Sequence, residues 1–353
     1  MYIHWSHHYL PKLFGILSFI ANPLFIYLIV TEKGATIGKY RYLLLFFAVF
    51  DMTYSTVELI VPVAIHGTGS AFVICLTDGP FFNANVVLQH LSDTHIDLFQ
   101  NIRLGQLAVS IRCGCISLSY GILAVHFIYR YIALFFPKMI YHILQPTGMI
   151  CIFLFFITHG IVWSSICELF LYGDDEMREY IREAFDKDYG VDSRDIAFLA
   201  ALYMEGSDEV RERGWTGILI LTGISIYAVT LYITLGIKIT NKLRDNPALS
   251  QITQNMHRQL FKALAVQTFI PIVISFSPCM VAWYGPVLSL DIGMWNNYLG
   301  VIALSAFPTL DPLAIIFLLP NYRNRLSKKN IKSLQLWSTM TQSIKHATTV
   351  INI

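Results

Sequence analysis

Seven stretches of mainly apolar residues, at approximately 10–30, 42–64, 104–127, 147–171, 215–237, 263–284 and 298–319, set the terms for this chain. Each matches the roughly 20 residues a helix needs to cross the hydrocarbon core of a bilayer. Inside lipid, only helices and closed barrels satisfy every backbone N–H and C=O. The expected fold is therefore an all-α membrane protein, a bundle of seven transmembrane helices embedded in the lipid bilayer. Composition agrees: 14% of residues are charged, against about 25% in a soluble domain. A further apolar segment, 71–88, is interrupted by Asp78, Gly79 and Pro80. It is expected to be a loop with a short hairpin.

Seven spans put the termini on opposite sides. With the N-terminus outside, the inner segments hold 16 Lys and Arg residues and the outer segments 8, which predicts N-out, C-in. The chain divides into a seven-span bundle, 1–320, and a cytoplasmic tail, 321–353. The tail sets Leu326, Leu334 and Trp337 among basic residues, as a helix lying on a membrane surface does. The segment 172–214 carries 13 carboxylates against 6 basic residues. Within it, "DDEMREYIREAFDKD" and "SRDIAFLAALYMEG" both show helical spacing, with Gly206 as a stop. The segment is expected either to fold as an acidic outer lid or to remain a solvated spacer.

Ionisable residues within spans are costly in free energy and turn to the bundle interior. "AVHFIYRYIALFFP" (124–137) places Arg130 in such a run, with His126 one turn before it. At 3.6 residues per turn, Arg112, Cys115, Ser119, His126 and Arg130 fall on one face of one helix, its ends roughly 27 Å apart. In the second span Asp51, Ser55 and Glu58 share a face. The seventh holds Asp311 followed by Pro312, and the sixth Gln267 followed by Pro271 and Pro278, which bend a helix. Asp51 and Asp311 either share a proton or cation or form ordinary interhelical hydrogen bonds.

The six cysteines include no C-x-x-C pair. Cys75 is a candidate partner for Cys113 or Cys167. "HLSDTHID", with His90, Asp93, His95 and Asp97, has zinc-compatible residue types but no repeated partner motif, so no metal and no cofactor is expected.

Five segments then carry a resemblance: "SLSYGILAVHFIYRYIALFFP", "GKYRYLLLFFAVFDMTYS", "FKALAVQTFIPIVISFSP", "FPTLDPLAIIFLLPNYR" and "HWSHHYLPKLFGILSFIANPLFIYLI". Taken together in chain order they resemble the signature segments of nematode seven-transmembrane chemoreceptors of the Str superfamily, and the opening segment further resembles serpentine receptor class J. The resemblance implies a G-protein-coupled, olfactory-type chemosensory receptor in the plasma membrane of sensory-neuron cilia. Such a receptor takes a small environmental or pheromone-like molecule and activates a heterotrimeric G protein. It is not an enzyme, and nucleic acid is not an expected partner.

The resemblance places a ligand site among the outer halves of the spans, where pockets are mainly apolar with few polar groups. Its candidates are Arg112, Cys115, Ser119, Glu58, Glu168, Trp283 and Tyr284. Arg112 either holds a ligand carboxylate or carbonyl, or pairs with Glu58. Candidates for the switch and for G-protein coupling are His126, Tyr129, Arg130, Tyr131, Gln267, Pro271, Asp311 and Pro312; Asp51 and Ser55 are core polar residues. More distantly, Tyr129-Arg130-Tyr131 is similar to the Asp/Glu-Arg-Tyr motif of rhodopsin-like receptors. Tyr129 stands in the acidic position, so a restraint on Arg130 must come from another helix, although its long stem also allows the head to snorkel to the interface. Asp311-Pro312 resembles the start of Asn/Asp-Pro-x-x-Tyr, with Ile315 in place of the tyrosine.

The alternative class is a ligand-gated channel or small-solute transporter. No repeated half of the kind common in transporters is visible. His66, His126 and His159 are scattered, against a metallohydrolase, and the seventh span has no lysine for a retinal Schiff base.

Overall fold

The computed structural model describes residues 4–32, 40–82, 98–244, 251–288, 293–320 and 322–326. Its helices are α1 (Trp5–Val30), α2 (Arg41–Ile60), α3 (Leu98–Phe135), α4 (Met139–Ile143), α5 (Pro146–Phe170), α6 (Asp175–Tyr189), α7 (Asp208–Arg244), α8 (Gln251–Ile270), α9 (Ser277–Tyr284) and α10 (Gly293–Leu318). A π-helical turn, Pro271–Phe276, joins α8 to α9. Among the described residues, seven helical stretches are long and apolar enough to cross a bilayer. α3 and α7 extend well past the apolar windows, because polar residues at a helix end need not stop a helix whose other turns are packed.

The second span ends earlier than its composition suggests. α2 stops at Ile60, and Pro62, which lacks an N–H, leads into β1 (Val63–Thr68). β1 pairs antiparallel with β2 (Ala71–Leu76), and β2 with β3 (Phe198–Leu202). The hairpin therefore starts inside the apolar run read as span and turns at Gly69, whose φ is 52°. A side chain there would also collide with the Tyr180 hydroxyl, which accepts from Ser70 N–H at 3.1 Å.

The helical reading of "SRDIAFLAALYMEG" is corrected. It forms a single 3-10 turn, Ser193–Asp195, and then strand β3. The reason is burial on both faces. Alternate residues of a strand point to opposite sides. Here Ile65, Phe72, Ile74 and Leu199 face the bundle, while Ala64, Val73, Cys75, Phe198 and Ala200 face α6. A strand buried twice reads as a continuous apolar run without alternation.

The acidic segment is folded. Asp174 caps α6, its carboxylate accepting from Met177 N–H at 2.8 Å, and Gly190 closes the helix with φ 65°, as a left-handed terminator does. Met177, Ile181, Phe185 and Tyr189, four apart, lie buried on the sheet. Arg178 donates to the Ser193 and Ile196 carbonyls at 2.8 and 2.9 Å, tying α6 to the 3-10 turn.

On the bundle side, α3 and α5 approach closely. A Cβ on Gly114 would lie 2.8 Å from the Gly160 carbonyl, the close contact that small residues permit between spans. All six cysteines are free. Cys75 points into the layer under α6, so it meets neither Cys113 nor Cys167; those two contact each other instead.

His66, on the α6 face of the sheet, is 5% exposed. Its Nδ1 lies 3.1 Å from the Tyr189 hydroxyl and its Nε2 3.7 Å from Asp188. Burial holds its pKa below the usual histidine value, with Asp188 acting weakly in the opposite sense. A depressed histidine pKa means that the unfolded chain binds the proton first, so stability is full above about pH 6.5 and falls as pH drops from there toward the folded-state value. The melting temperature of the purified protein should fall between pH 7.5 and pH 5, and His66→Gln should flatten that dependence. An unchanged pH profile in the variant would exclude His66 as its source.

Candidate functional site

The five residues read as one polar face of the third span, Arg112, Cys115, Ser119, His126 and Arg130, are all buried on α3. Arg112 lies toward the end of the bundle that carries the sheet. Its Nη2 is 3.4 Å from Glu58 Oε1 of α2, and its guanidinium carbon is 4.4 Å from the Tyr54 ring centroid. Ser305 of α10 donates to the same Glu58 oxygen. One ion pair thus fastens α2, α3 and α10. It is not saturated: Arg112 Nε and Nη1 and Glu58 Oε2 have no hydrogen-bond partner among the described residues.

Two cavities flank this pair. A narrow crevice of about 20 Å³ is lined by Arg112 and Glu58 within and by Lys12 and His8 of α1. Lys12 is held by Asp78 at 3.3 Å. Asp78 itself lies below the usual carboxylate range, chiefly through the Gly79 N–H it accepts, then through Lys12. Beside the crevice, a small chamber of about 40 Å³ is walled by Trp163 and Trp283 and roofed by Ile65, Phe72, Ile74 and Leu199 of the sheet. Cys113, Cys167 and Cys279 also face it.

Midway along the bundle, Asp51 and Asp311 are fully buried and close enough for their charges to act on each other. Interhelical hydrogen bonding of these carboxyls, the simpler expectation, is not seen: neither has a partner among the described residues, and nor does Ser55 Oγ. Pro312 has no N–H to offer the Pro308 carbonyl one turn back. Asn22 of α1 supplies it instead, donating to Pro308 O at 2.9 Å. Gln267 is buried with Nε2 unpartnered among the described residues, one turn before Pro271 opens the π-helical turn.

At the other end of α3, Arg130 is 3% exposed, so its head does not reach for an interface. Its guanidinium carbon lies 3.6 Å from the centroid of the Tyr40 ring. The Tyr40 hydroxyl is 2.8 Å from His126 Nδ1, and the Tyr129 ring lies 5.5 Å from that of Tyr40. A desolvated cation over an aromatic face is worth about 2 kcal/mol. Nε and Nη2 of Arg130 have no hydrogen-bond partner among the described residues. Tyr131 points elsewhere, stacking on Phe135 with Lys238 over its ring.

Comparison with known proteins decides the family. The model of the serpentine type 7TM GPCR chemoreceptor Srj matches residues 1–326. The chain belongs to the Srj family of chemoreceptors. It is similar to serpentine receptor class J-38 of Caenorhabditis elegans, 35% identical over 98% of both chains. It is also similar to serpentine receptor class r-10 of the same organism, 24% identical over 88% of this chain and 86% of the relative. With G-protein coupled receptor str-33 of C. elegans the identity is 26%, over 88% and 87%. The receptor is a multi-pass membrane protein, and its family is one of receptors rather than enzymes.

Not all of the receptor's candidate residues converge. Of the seven proposed for ligand contact, Arg112 and Glu58 line the crevice and Trp283 the chamber. Glu168 accepts from Ser110 at 2.5 Å and Gln106 at 3.3 Å, an α3–α5 tie. Ser119 donates to its own helix at the Ile116 carbonyl, and the Tyr284 hydroxyl meets that of Thr222 at 2.8 Å. Cys115 is buried outside both cavities. His90, Asp93, His95 and Asp97, and most of the 321–353 tail, lie outside the described residues.

Sequence reasoning missed Tyr40, Tyr54, Ser305 and Asn22. Tyr54 sits three residues from Asp51 and four from Glu58, so its spacing carried a signal. Asn22, polar in an apolar span and four residues from Ser18, carried another. Removing one partner of a buried ion pair costs about 3–5 kcal/mol, whereas replacing both with apolar groups is often neutral. Glu58→Leu should therefore lower the melting temperature sharply, and Glu58→Leu with Arg112→Leu should recover most of the loss. Equal melting of Glu58→Leu, the double variant and the wild type would show that the pair holds nothing together.

Proposed function

We propose that the protein is a G-protein-coupled chemosensory receptor, with the sheet end of the bundle outside the cell and the Arg130 end facing a heterotrimeric G protein. The observation that carries this reading is the continuity of α3. One helix lines an aromatic, sheet-roofed chamber near one end and presents a buried arginine, seated on an aromatic face, at the other. The excess of Lys and Arg in the segments at the Arg130 end supports the orientation, and family membership supports coupling to a G protein. Placement in the plasma membrane of sensory cilia follows from the same reading.

The chamber is suited to a small molecule that is mostly apolar. Trp163 and Trp283 lie 6.0 Å apart, centroid to centroid. Trp283 belongs to α9, directly beyond the π-helical turn, and a small void of about 10 Å³ lies against that turn at Pro271, Ile272 and Phe276. A bent helix with space beside it is a natural pivot. A ligand that displaces Trp283 biases the α8–α9 bend. Movement of α8 changes the surroundings of Arg130, beside which His257 of α8 stands. Release of Arg130 from Tyr40 then exposes a cation to the G protein.

The test is nucleotide exchange on a Gα subunit by the receptor in nanodiscs, using an odorant mixture that evokes calcium signals in transfected cells. Arg130→Ala should abolish evoked exchange while leaving surface expression unchanged. Tyr40→Leu should raise basal exchange severalfold, and Tyr40→Phe, which keeps the ring, should not. Ligand-evoked current in membranes lacking any G protein, with no exchange, would replace this reading with a channel.

A further inference from the structure

The Arg130 end of the bundle holds a larger space than the crevice or the chamber, and it opens sideways. A groove of about 320 Å³ runs between α2, α3 and α5. Leu43 and Tyr129 form its buried floor, and Tyr42, Met149, Ile150 and Phe153, about half exposed, form its rim. Its origin is local. Farther along, Phe46 and Phe50 of α2 close on the Phe156 ring of α5, at 5.1 and 5.6 Å between centroids. Toward the Arg130 end, α5 begins instead at a tight corner with α4, where a Cβ on Gly148 would collide with the Ile143 carbonyl. The first turns of α2 and α5 leave the groove between them.

The rim belongs to two membrane-spanning helices. The groove therefore opens to hydrocarbon, and its occupant comes from the bilayer. It also begins at the interface. Its lining runs from Tyr42 to Phe46 on α2 and from Met149 to Phe153 on α5, each about 6 Å along the first turns of its helix. A head group is thus within reach of the helix starts, and those starts favour an anion. Neither α2 nor α5 has a side-chain cap or an acidic residue in its first turn, and a helix N-terminus carries partial positive charge. Arg41, itself exposed, lies over the Tyr42 ring at 5.3 Å. The segments leading into the two helices, 33–41 and 136–148, carry Lys33, Lys39, Arg41 and Lys138 and no Asp or Glu.

Anionic lipids belong to the cytoplasmic leaflet. Resting on the reading of the Arg130 end as cytoplasmic, we propose that this groove seats the upper part of one acyl chain of an anionic phospholipid. The phosphate lies at Arg41, between the N-termini of α2 and α5. A sterol would fill the same apolar space but offers the cation no charge. The occupant rests on Tyr129, whose ring lies 5.5 Å from that of Tyr40, on which Arg130 sits. The lipid therefore bears on the aromatic pair that seats Arg130.

The experiment uses the full-length receptor in phosphatidylcholine nanodiscs containing a small fraction of phosphatidylserine with a diazirine on an upper acyl carbon. After irradiation, adducts are mapped by mass spectrometry and compared with those of the same probe in phosphatidylcholine form. Adducts should concentrate on 42–46 and 144–153 rather than spread over the other lipid-facing stretches. The serine lipid should label these segments about fivefold more than the choline lipid, the effect of about one basic residue on an anionic lipid. Arg41→Gln should bring that ratio close to one. Met149→Trp, which sets a larger ring in the groove at a lipid-facing position, should reduce labelling there severalfold with either probe. Labelling on the other spans, unchanged in both variants, reports that they are folded. Even labelling of all lipid-facing helices would overturn the proposal. So would equal labelling by the two probes in the wild type, or displacement by cholesterol with no effect of Arg41→Gln. The labelling requires neither odorant nor G protein. Its failure therefore leaves the signalling reading standing, and a receptor that binds the lipid but drives no nucleotide exchange keeps this site and loses that reading.

Discussion

Two guanidinium groups are buried on a single helix, and a bilayer protein has no solvent with which to compensate them. Each must be answered from within the bundle, and the two answers differ. Arg112 is met by a carboxylate that a second helix supplies and a third helix holds. Arg130 is met by the face of a tyrosine. The first arrangement is costly to break, since it would leave an unpaired charge in a low dielectric. The second is weak and requires only that a ring stay in place. The same helix therefore has a firm anchor near the sheet and a loose catch at its far end, a division suited to carrying a change from one to the other.

The remaining architecture follows from the need to roof the anchored end. The three strands are buried on both sides, by the bundle below and by α6 above. Without α6 the upper face of Val73, Phe198 and Ala200 would meet water. Apart from Asp188, which reaches His66, the acidic residues of α6 lie away from the sheet, where Glu179 is held below the usual carboxylate range by Arg194 and then Arg182. The lid is thus apolar toward the chamber and charged away from it. At mid-depth, prolines interrupt the helical hydrogen bonding: the carbonyl that Pro312 leaves open is taken by Asn22, which ties α1 to α10, while the π-helical turn at Pro271 has a small void beside it.

The sequence made some of this legible and concealed the rest for physical reasons. Spacing at 3.6 residues put Arg112 and Arg130 on one face, because a helix repeats strictly and charges cannot face lipid. The Arg112–Glu58 pair was one of two stated outcomes, since a buried cation restricts its partners. The α6 helix was visible through its acidic start and four-residue apolar repeat. β3 was not: "FLAAL" buried on both faces has no alternation, and the helical period fitted it by default. Tyr40 was invisible because cation–π contact has no sequence spacing, and the residue belongs to a different segment from the arginine it holds. Ser305 looked like any small polar residue in a span. Glu168 misled in the opposite direction: a carboxylate in a span suggested a site, whereas Ser110 and Gln106 satisfy it as a helix tie.

The central claim is that α3 couples the sheet-roofed chamber to the Arg130 end. Coupling between two sites is reciprocal in binding free energy. The most direct test is the affinity of an activating ligand for the receptor in nanodiscs with and without a nucleotide-free G-protein heterotrimer. The account predicts tighter ligand binding with the heterotrimer present, by about 5-fold to 150-fold, and no such difference in Arg130→Ala. Identical ligand affinity with and without bound heterotrimer in the wild type would contradict it.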